Sequence, residues 1–237
     1  MAITLRWFGH ASFQVSGGGK TVFIDPWKLP DGVGPADVVV VSHSHYDHCS
    51  PDDVAKLRKD DTIVLAPSDC VGKISGDVTV VAPGQRYIIE DRKIDLGPGH
   101  PDRAVESMVS VVPAYNIGKE FHPKANGWFG VVVKLGAGSV YYAGDTDLIP
   151  EMGDLREISL ALLPVGGTYT MDADQAAEAV KAIKPAMAIP YHWGDIVGDR
   201  GDADRFKAAA ECPVTLLTPG TETTLAGTPD GKTPSDS

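Results

Sequence analysis

The decisive stretch is Asp37-Val38-Val39-Val40-Val41-Ser42-His43-Ser44-His45-Tyr46-Asp47-His48. Its four consecutive valines have the pattern of a short strand covered on both faces. Ligand-type residues follow at once: histidines at 43, 45 and 48 and an aspartate at 47. In sheets flanked by helices, the loops after strand ends are where ligands bind. Neutral imidazoles and carboxylates are the ligands of zinc and other first-row dications. Alternation in an extended turn puts His43 and His45 on one side. Asp47 and His48 lie beyond them and face a second position nearby.

Outward from this stretch, residues 3–8, 12–15 and 21–24 read as strands, with Gly17-Gly18-Gly19 as a hairpin turn. Ser50-Pro51-Asp52-Asp53 supplies an N-cap, a proline at the first helical position and an acidic first turn. It predicts a helix to about residue 60. Strands are expected at 62–65, 78–81, 86–90 and 108–112. Those at 129–135 and 140–142 flank a second hairpin turn, Gly136-Ala137-Gly138. In the second half, strands at 158–164 and 187–190 alternate with helices at 172–183 and 202–210, the first capped by Thr170 or Asp172. Strands at 214–217 and 223–225 close the chain. Both halves run from strands to helices, which suits an α/β (α+β) fold: a four-layer αββα sandwich, two sheets face to face with helices outside. No linker interrupts the interior, so residues 1–227 are expected to form one domain. The Pro, Gly, Ser and Asp of 228–237 suit a disordered tail.

The chain has 237 residues, 43% of them hydrophobic, enough for a substantial core. A formal net charge of -11 repels phosphate backbones and argues against a nucleic-acid partner. It leaves a small-molecule substrate open, since a bound dication reverses the local field. The three cysteines, Cys49, Cys70 and Cys212, form no CxxC pair and read as reduced thiols. The N-terminus lacks the features of a signal peptide, and no apolar run reaches membrane-spanning length. A cytoplasmic protein without stable membrane association is expected; a homo-oligomer is compatible with the sequence.

Two later segments add ligand-type residues at strand ends. Asp145 follows Val140-Tyr141-Tyr142-Ala143, with Gly144 letting the backbone come close to a ligand. His192 follows the apolar run ending Ile189-Pro190-Tyr191. Together, the HSHYDH segment, Trp7-Phe8-Gly9-His10-Ala11-Ser12-Phe13, Ile24-Asp25-Pro26-Trp27, Ala143-Gly144-Asp145-Thr146-Asp147 and Ile189-Pro190-Tyr191-His192-Trp193-Gly194 resemble the metallo-β-lactamase fold superfamily of metal-dependent hydrolases. The openings look like those of its lactonase and phospholipase-D-like branch. The resemblance implies two metal positions: His43 and His45 with a third histidine in one, Asp47, His48 and His192 in the other, and Asp145 bridging.

The third histidine is where the sequence departs from that pattern. Tyr115 stands where relatives commonly have a histidine, and a neutral phenol is a poor ligand at pH 7. It would be free to hydrogen-bond substrate. His122, in a loop long enough to fold back over the site, is the leading substitute; His100 is the other. His10 reads as a support, a substrate contact or a structural residue under the loop. Asp25 either orients a ligating imidazole or forms an Asx-type turn. Trp128, Phe129 and Trp193 are candidates for an apolar wall. The ligand set implies one or two divalent ions, zinc first and manganese or iron as alternatives. They would activate water to cleave an ester, lactone or phosphodiester bond, with Asp47 holding the nucleophile or moving its proton. Iron-dependent oxygen or sulfur chemistry and a non-catalytic metal or ligand sensor are the competing readings.

Overall fold

The structure, a computed structural model, describes residues 2–95 and 105–225. His100 and the 228–237 tail lie outside these residues. Strands β1 (Ile3–Gly9), β2 (Ser12–Gly17), β3 (Lys20–Ile24), β4 (Val38–Val40), β5 (Ile63–Ala66) and β6 (Thr79–Val80) belong to one sheet. Strands β7 (Arg86–Ile88), β8 (Lys93–Asp95), β9 (Ser107–Pro113), β10 (Phe129–Leu135), β11 (Gly138–Tyr142), β12 (Leu160–Pro164) and β13 (Ala188–Tyr191) form the other. The last strand, β14 (Glu222–Leu225), returns to pair antiparallel with β1, giving the orders β14-β1-β2-β3-β4-β5-β6 and β13-β12-β11-β10-β9-β7-β8. The helices are α1 (Pro51–Leu57), α2 (Ala173–Ile183) and α3 (Arg200–Ala209).

Side-chain alternation explains the layering. Along β4, Val38 and Val40 join Leu5, Phe13, Val131 and Leu162 between the sheets. Val39 and Val41 face the other way and pack with Val54 and Leu57 of α1. On the far side, Tyr141, Ala161 and Leu163 of the second sheet meet Ala176 and Val180 of α2 and Phe206 of α3. Three apolar layers between four layers of structure make the αββα sandwich that the sequence predicts. Each fully buried large side chain contributes about 1.5–3 kcal/mol on transfer from water.

Helix ends follow their caps. Ser50 accepts from Asp53 N at the start of α1, and Asp172 makes a reciprocal capping box with Gln175 on α2. Asp172 is therefore the cap, not Thr170. Helix α3 starts two residues earlier than expected because Asp199 and Asp202 make the same reciprocal box. Helix α1 stops at Leu57, where Arg58 turns extended and Thr62 accepts from Lys59 N. Residues 214–217 do not form a strand: only Val214 bridges, to Ala188, before the chain turns. Strand β8 was hidden by its charged sequence; its outer register is held by Arg86 and Asp95, 2.8 Å apart. Among the described residues no helix is long and apolar enough to cross a membrane.

The topology gathers loops at one end. Strands β3, β4 and β5 run parallel, as do β11, β12 and β13. The chain leaves β3 at Asp25, β4 toward His43, β11 toward Asp145 and β13 at His192. Strand β9 is antiparallel to β10 and thus codirectional with β11, so the loop after Pro113 joins the same end.

Candidate metal centre

The turn after β4 is tightened by His48 N and Cys49 N, which both donate to His45 O. Asp47 and His48 are buried within it, while Tyr46 points outward with 67% exposure. Ligand-type atoms gather in this region. Ring nitrogens of His43, His45 and His122 lie within 4.8 Å of one another. Nitrogens of His10, His48 and His192 and a carboxylate oxygen of Asp47 form a second cluster on the same criterion. Asp145 stands between them. Its Oδ2 is 3.4 Å from His122 Nε2 and 3.1 Å from His192 Nε2, and its Oδ1 is 3.3 Å from His48 Nε2.

Three imidazoles, those of His43, His48 and His122, are held through Nδ1, so that Nε2 faces inward. Ser42 Oγ donates to Asp25 (2.5 Å), leaving its lone pair for the Nδ1–H of His43 at 2.9 Å. His48 Nδ1 donates to Asp25 Oδ2 at 2.7 Å. His122 Nδ1 donates to Asn116 Oδ1 at 3.1 Å, and that oxygen also receives the His122 backbone N–H. The Nε2 atoms of His43, His48, His122 and His192, and Oδ1 of Asp145, are buried without a hydrogen-bond partner. Buried polar atoms are rarely left so. In His43 and His122 the anchored Nδ1–H with a bare Nε2 lone pair is the tautomer a bound cation needs. These residues fit divalent metal.

Asp25 settles into the orienting role, not the turn. Its carboxylate accepts from Ser42 N (2.7 Å), Ser42 Oγ, His48 Nδ1 and Tyr142 OH (2.6 Å). It lies near the nitrogens of His43 and His48, but those four donors occupy it. His10 joins the second cluster, its Nε2 donating to Asp47 Oδ2 at 3.0 Å, while its carbonyl receives the N–H of His192 and Trp7 Nε1. His10, Asp25 and His192 all have left-handed backbone, with φ of 46°, 45° and 62°. Such non-glycine conformations cost about 1–3 kcal/mol each and collect at functional sites. At Gly144 the left-handed turn (φ 72°) serves packing instead of a ligand: a Cβ would lie 2.9 Å from Phe129 O.

The electrostatics divide the same way. Burial holds His43 well below the ordinary imidazole pKa, and brings His122 down to about 4. Both stay neutral, as ligation requires. Burial opposes charge on His48 as well, but Asp145 and Asp25 on its two sides outweigh it and raise its pKa well above the usual value. Burial likewise works against ionised Asp145 and Asp47. The facing histidines reverse this and hold both carboxyls far below their normal range.

The structure places Tyr115 elsewhere than expected. Its hydroxyl donates to Glu151 Oε2 at 2.9 Å and receives Lys124 Nζ at 3.3 Å, so it does not face the centre. His122, from the loop after β9, stands with His43 and His45. The expected apolar wall is also corrected. Phe129 is fully buried in the sheet core, and Trp193 packs on Trp7 at 5.3 Å. Trp128 backs the rings of His43, His45 and His122 at 4.9–5.5 Å. The cleft over Asp145 holds about 250 Å³ and is lined by His45, Tyr46, Asp47, Phe121, His122, Tyr169, His192 and Ile196. Tyr46, Phe121, Tyr169 and Ile196 carried no sequence signal, since isolated surface apolar residues are ordinary. Cys49 is buried in the α1 layer with Cys70, apart from both clusters.

Residues 4–192 match the beta-lactamase superfamily domain family. A UPF0173 metal-dependent hydrolase of Aeropyrum pernix is 32% identical, the match covering 91% of this chain and 95% of that protein. One of Methanopyrus kandleri is 35% identical over 91% of this chain and 97% of its own length. Among solved structures, Igni18, a metallo hydrolase of Ignicoccus hospitalis, aligns with a TM-score of 0.73 at 26% identity, covering 95% of this chain and 99% of that one. The chain therefore belongs to the beta-lactamase superfamily domain family and, with that fold, to the UPF0173 metal-dependent hydrolases.

Proposed function

We propose that this chain is a metal-dependent hydrolase that directs water at an ester, lactone or phosphodiester bond of a small substrate. The observation that carries the reading is the Asp145 carboxylate set between two histidine clusters, with Nε2 of His43, His48, His122 and His192 buried without a hydrogen-bond partner. His43, His45 and His122 would hold one divalent ion, Asp47, His48 and His192 a second, with Asp145 shared; zinc is the expected metal. A cation so held supplies a Lewis acid and makes water acidic enough to ionise near neutral pH.

The chain's own groups supply the rest. Asp47 lines the cleft, where its carboxylate can hold the attacking water in line. His10 donates to the far side of that carboxylate and fixes its direction. Trp128 closes the back of the imidazole cluster against solvent. The names of the relatives and the architecture both agree with hydrolysis. The test is metal removal. Chelated protein should lose turnover of generic esters, lactones or bis-aryl phosphates, and zinc or manganese should restore it. Full activity in protein shown by elemental analysis to be metal-free sinks the reading. Stoichiometric iron with oxygen-dependent turnover shifts it to the competing chemistry.

A further inference from the structure

Resting on the hydrolase reading, we propose that the cleft selects a neutral carboxylic ester or lactone bearing an apolar acyl or aryl group, and disfavours anionic substrates, phosphodiesters included.

The first support is where the molecule exposes apolar surface. Among the described residues, the large hydrophobics most open to solvent include Tyr46 (67%), Phe121 (46%) and Ile196 (38%), and all three line the cleft. Phe121 stands edge-on to Tyr169, another lining residue, with ring centroids 4.7 Å apart, and Tyr46 stands edge-on to Trp27 at 6.0 Å. Ile117, 57% exposed, lies on the same loop as Phe121. Scattered apolar residues on a surface need no explanation, but a group of them around one concavity marks a place where an apolar ligand is covered. They come from three separate loops, after β4, β9 and β13, and pack no core.

The second support is charge. No lysine or arginine is among the lining residues. Three lysines of the surrounding loops are engaged. Lys119 Nζ is held by Asp147 and by the carbonyls of Gly167 and Thr170. Lys28 pairs with Asp195 at 2.8 Å, and Lys124 with Glu151 at 2.8 Å. Lys73 is exposed and reaches the Ser44 carbonyl at 3.5 Å, outside the lining. The Asp47 and Asp145 carboxylates on the floor are offset by any dications they hold, and the whole chain is acidic. An anionic substrate would find no lysine or arginine on the lining for oxygens that do not touch metal. A neutral carbonyl needs no such partner. The volume of about 250 Å³ suits a small molecule and not a polymer.

The step is a balanced hydrolysis. Water oxygen adds to the carbonyl carbon, the acyl–oxygen bond breaks, and the departing alkoxide takes one proton. The second proton is released with the carboxylate product. The test uses the metal-loaded full chain and two esters of equal length and equal leaving group, 4-nitrophenyl hexanoate and 4-nitrophenyl hydrogen adipate. The neutral ester is expected to show at least about tenfold higher kcat/KM, with the difference in KM, the scale that burying a few methylenes supplies. Phe121→Ala and Tyr46→Ser should each shrink that ratio severalfold; both positions are exposed, so folding is not at stake. A ratio near one, or one favouring the adipate, overturns the proposal. So does faster turnover of bis(4-nitrophenyl) phosphate, because the aryl ester is intrinsically the more reactive. If no substrate is turned over, the hydrolase reading has failed by itself, and the cleft is then judged by fluorescence quenching with N-phenylhexanamide. Tighter binding of that amide than of the adipic half-anilide upholds the selectivity, and equal binding removes it.

Discussion

The two histidine clusters differ in what holds their rings. In the His43/His45/His122 cluster the anchors are neutral: the Ser42 hydroxyl and the Asn116 amide oxygen. The residues facing one another are imidazoles, backed by the indole of Trp128. In the other cluster the anchors are charged: Asp25 behind His48, and Asp47 beside His10. The first is a nest of neutral lone pairs and the second a negative cup. Asp145 lends charge to both, which lets one carboxylate couple two otherwise unlike positions. A cation at the first depends on well-aimed nitrogens, one at the second on buried negative charge.

The largest effect should therefore come from the shared group. Asp145→Asn keeps the shape but removes the charge and one acceptor. Its loss should exceed the roughly 100-fold that removal of an outer partner costs. Elemental analysis should show metal falling at both positions. Loss of one equivalent alone would show that Asp145 serves a single cluster and break the comparison.

Smaller, and unequal, effects are expected from the anchors. Asp25→Asn leaves His48 facing a neutral group and strands donors from Ser42 and Tyr142. It should lower metal affinity or turnover toward the roughly 100-fold end and cost about 3 kcal/mol of stability. Asn116→Ala frees a ring whose anchor was neutral, and should fall toward the roughly tenfold end. Metal titrations and thermal melts of the pair decide this. Equal losses would mean that the charge of the anchor is irrelevant.

What could be read beforehand follows the same division. Ligand chemistry is written in residue types at strand ends, so His43, His45, Asp47, His48, Asp145 and His192 were legible, and the alternation of β4 carried the sandwich. His122 was legible from loop length alone. The anchors were not. Asp25 accepts from Tyr142, 117 positions along the chain, and an amide such as Asn116 has no motif of its own. The cleft wall was misplaced for a related reason. Tryptophan and phenylalanine at strand ends attracted the reading, yet Phe129 belongs to the core and Trp193 packs against it. The apolar rim comes instead from tips of loops that only the fold brings together.

The smallest effect tests the one position where sequence pattern and structure part. Tyr115 occupies the place of an expected ligand, but its phenol is tied to Glu151 and Lys124, away from the cleft. Its backbone does the local work: Tyr115 N donates to Thr146 Oγ1, and its carbonyl receives Thr146 Oγ1 and Asp147 N, stitching the β9 loop to the segment that carries Asp145. Tyr115→Phe keeps all of those bonds and removes only the hydroxyl. Its partners are partly exposed, so stability should fall by no more than about 1 kcal/mol, with kcat/KM and metal content unchanged. A loss of turnover comparable to that of Asn116→Ala would return the phenol to the active site. It would also mean that the first cluster draws on a polar hydroxyl as well as on neutral nitrogens, and the contrast between the clusters would narrow.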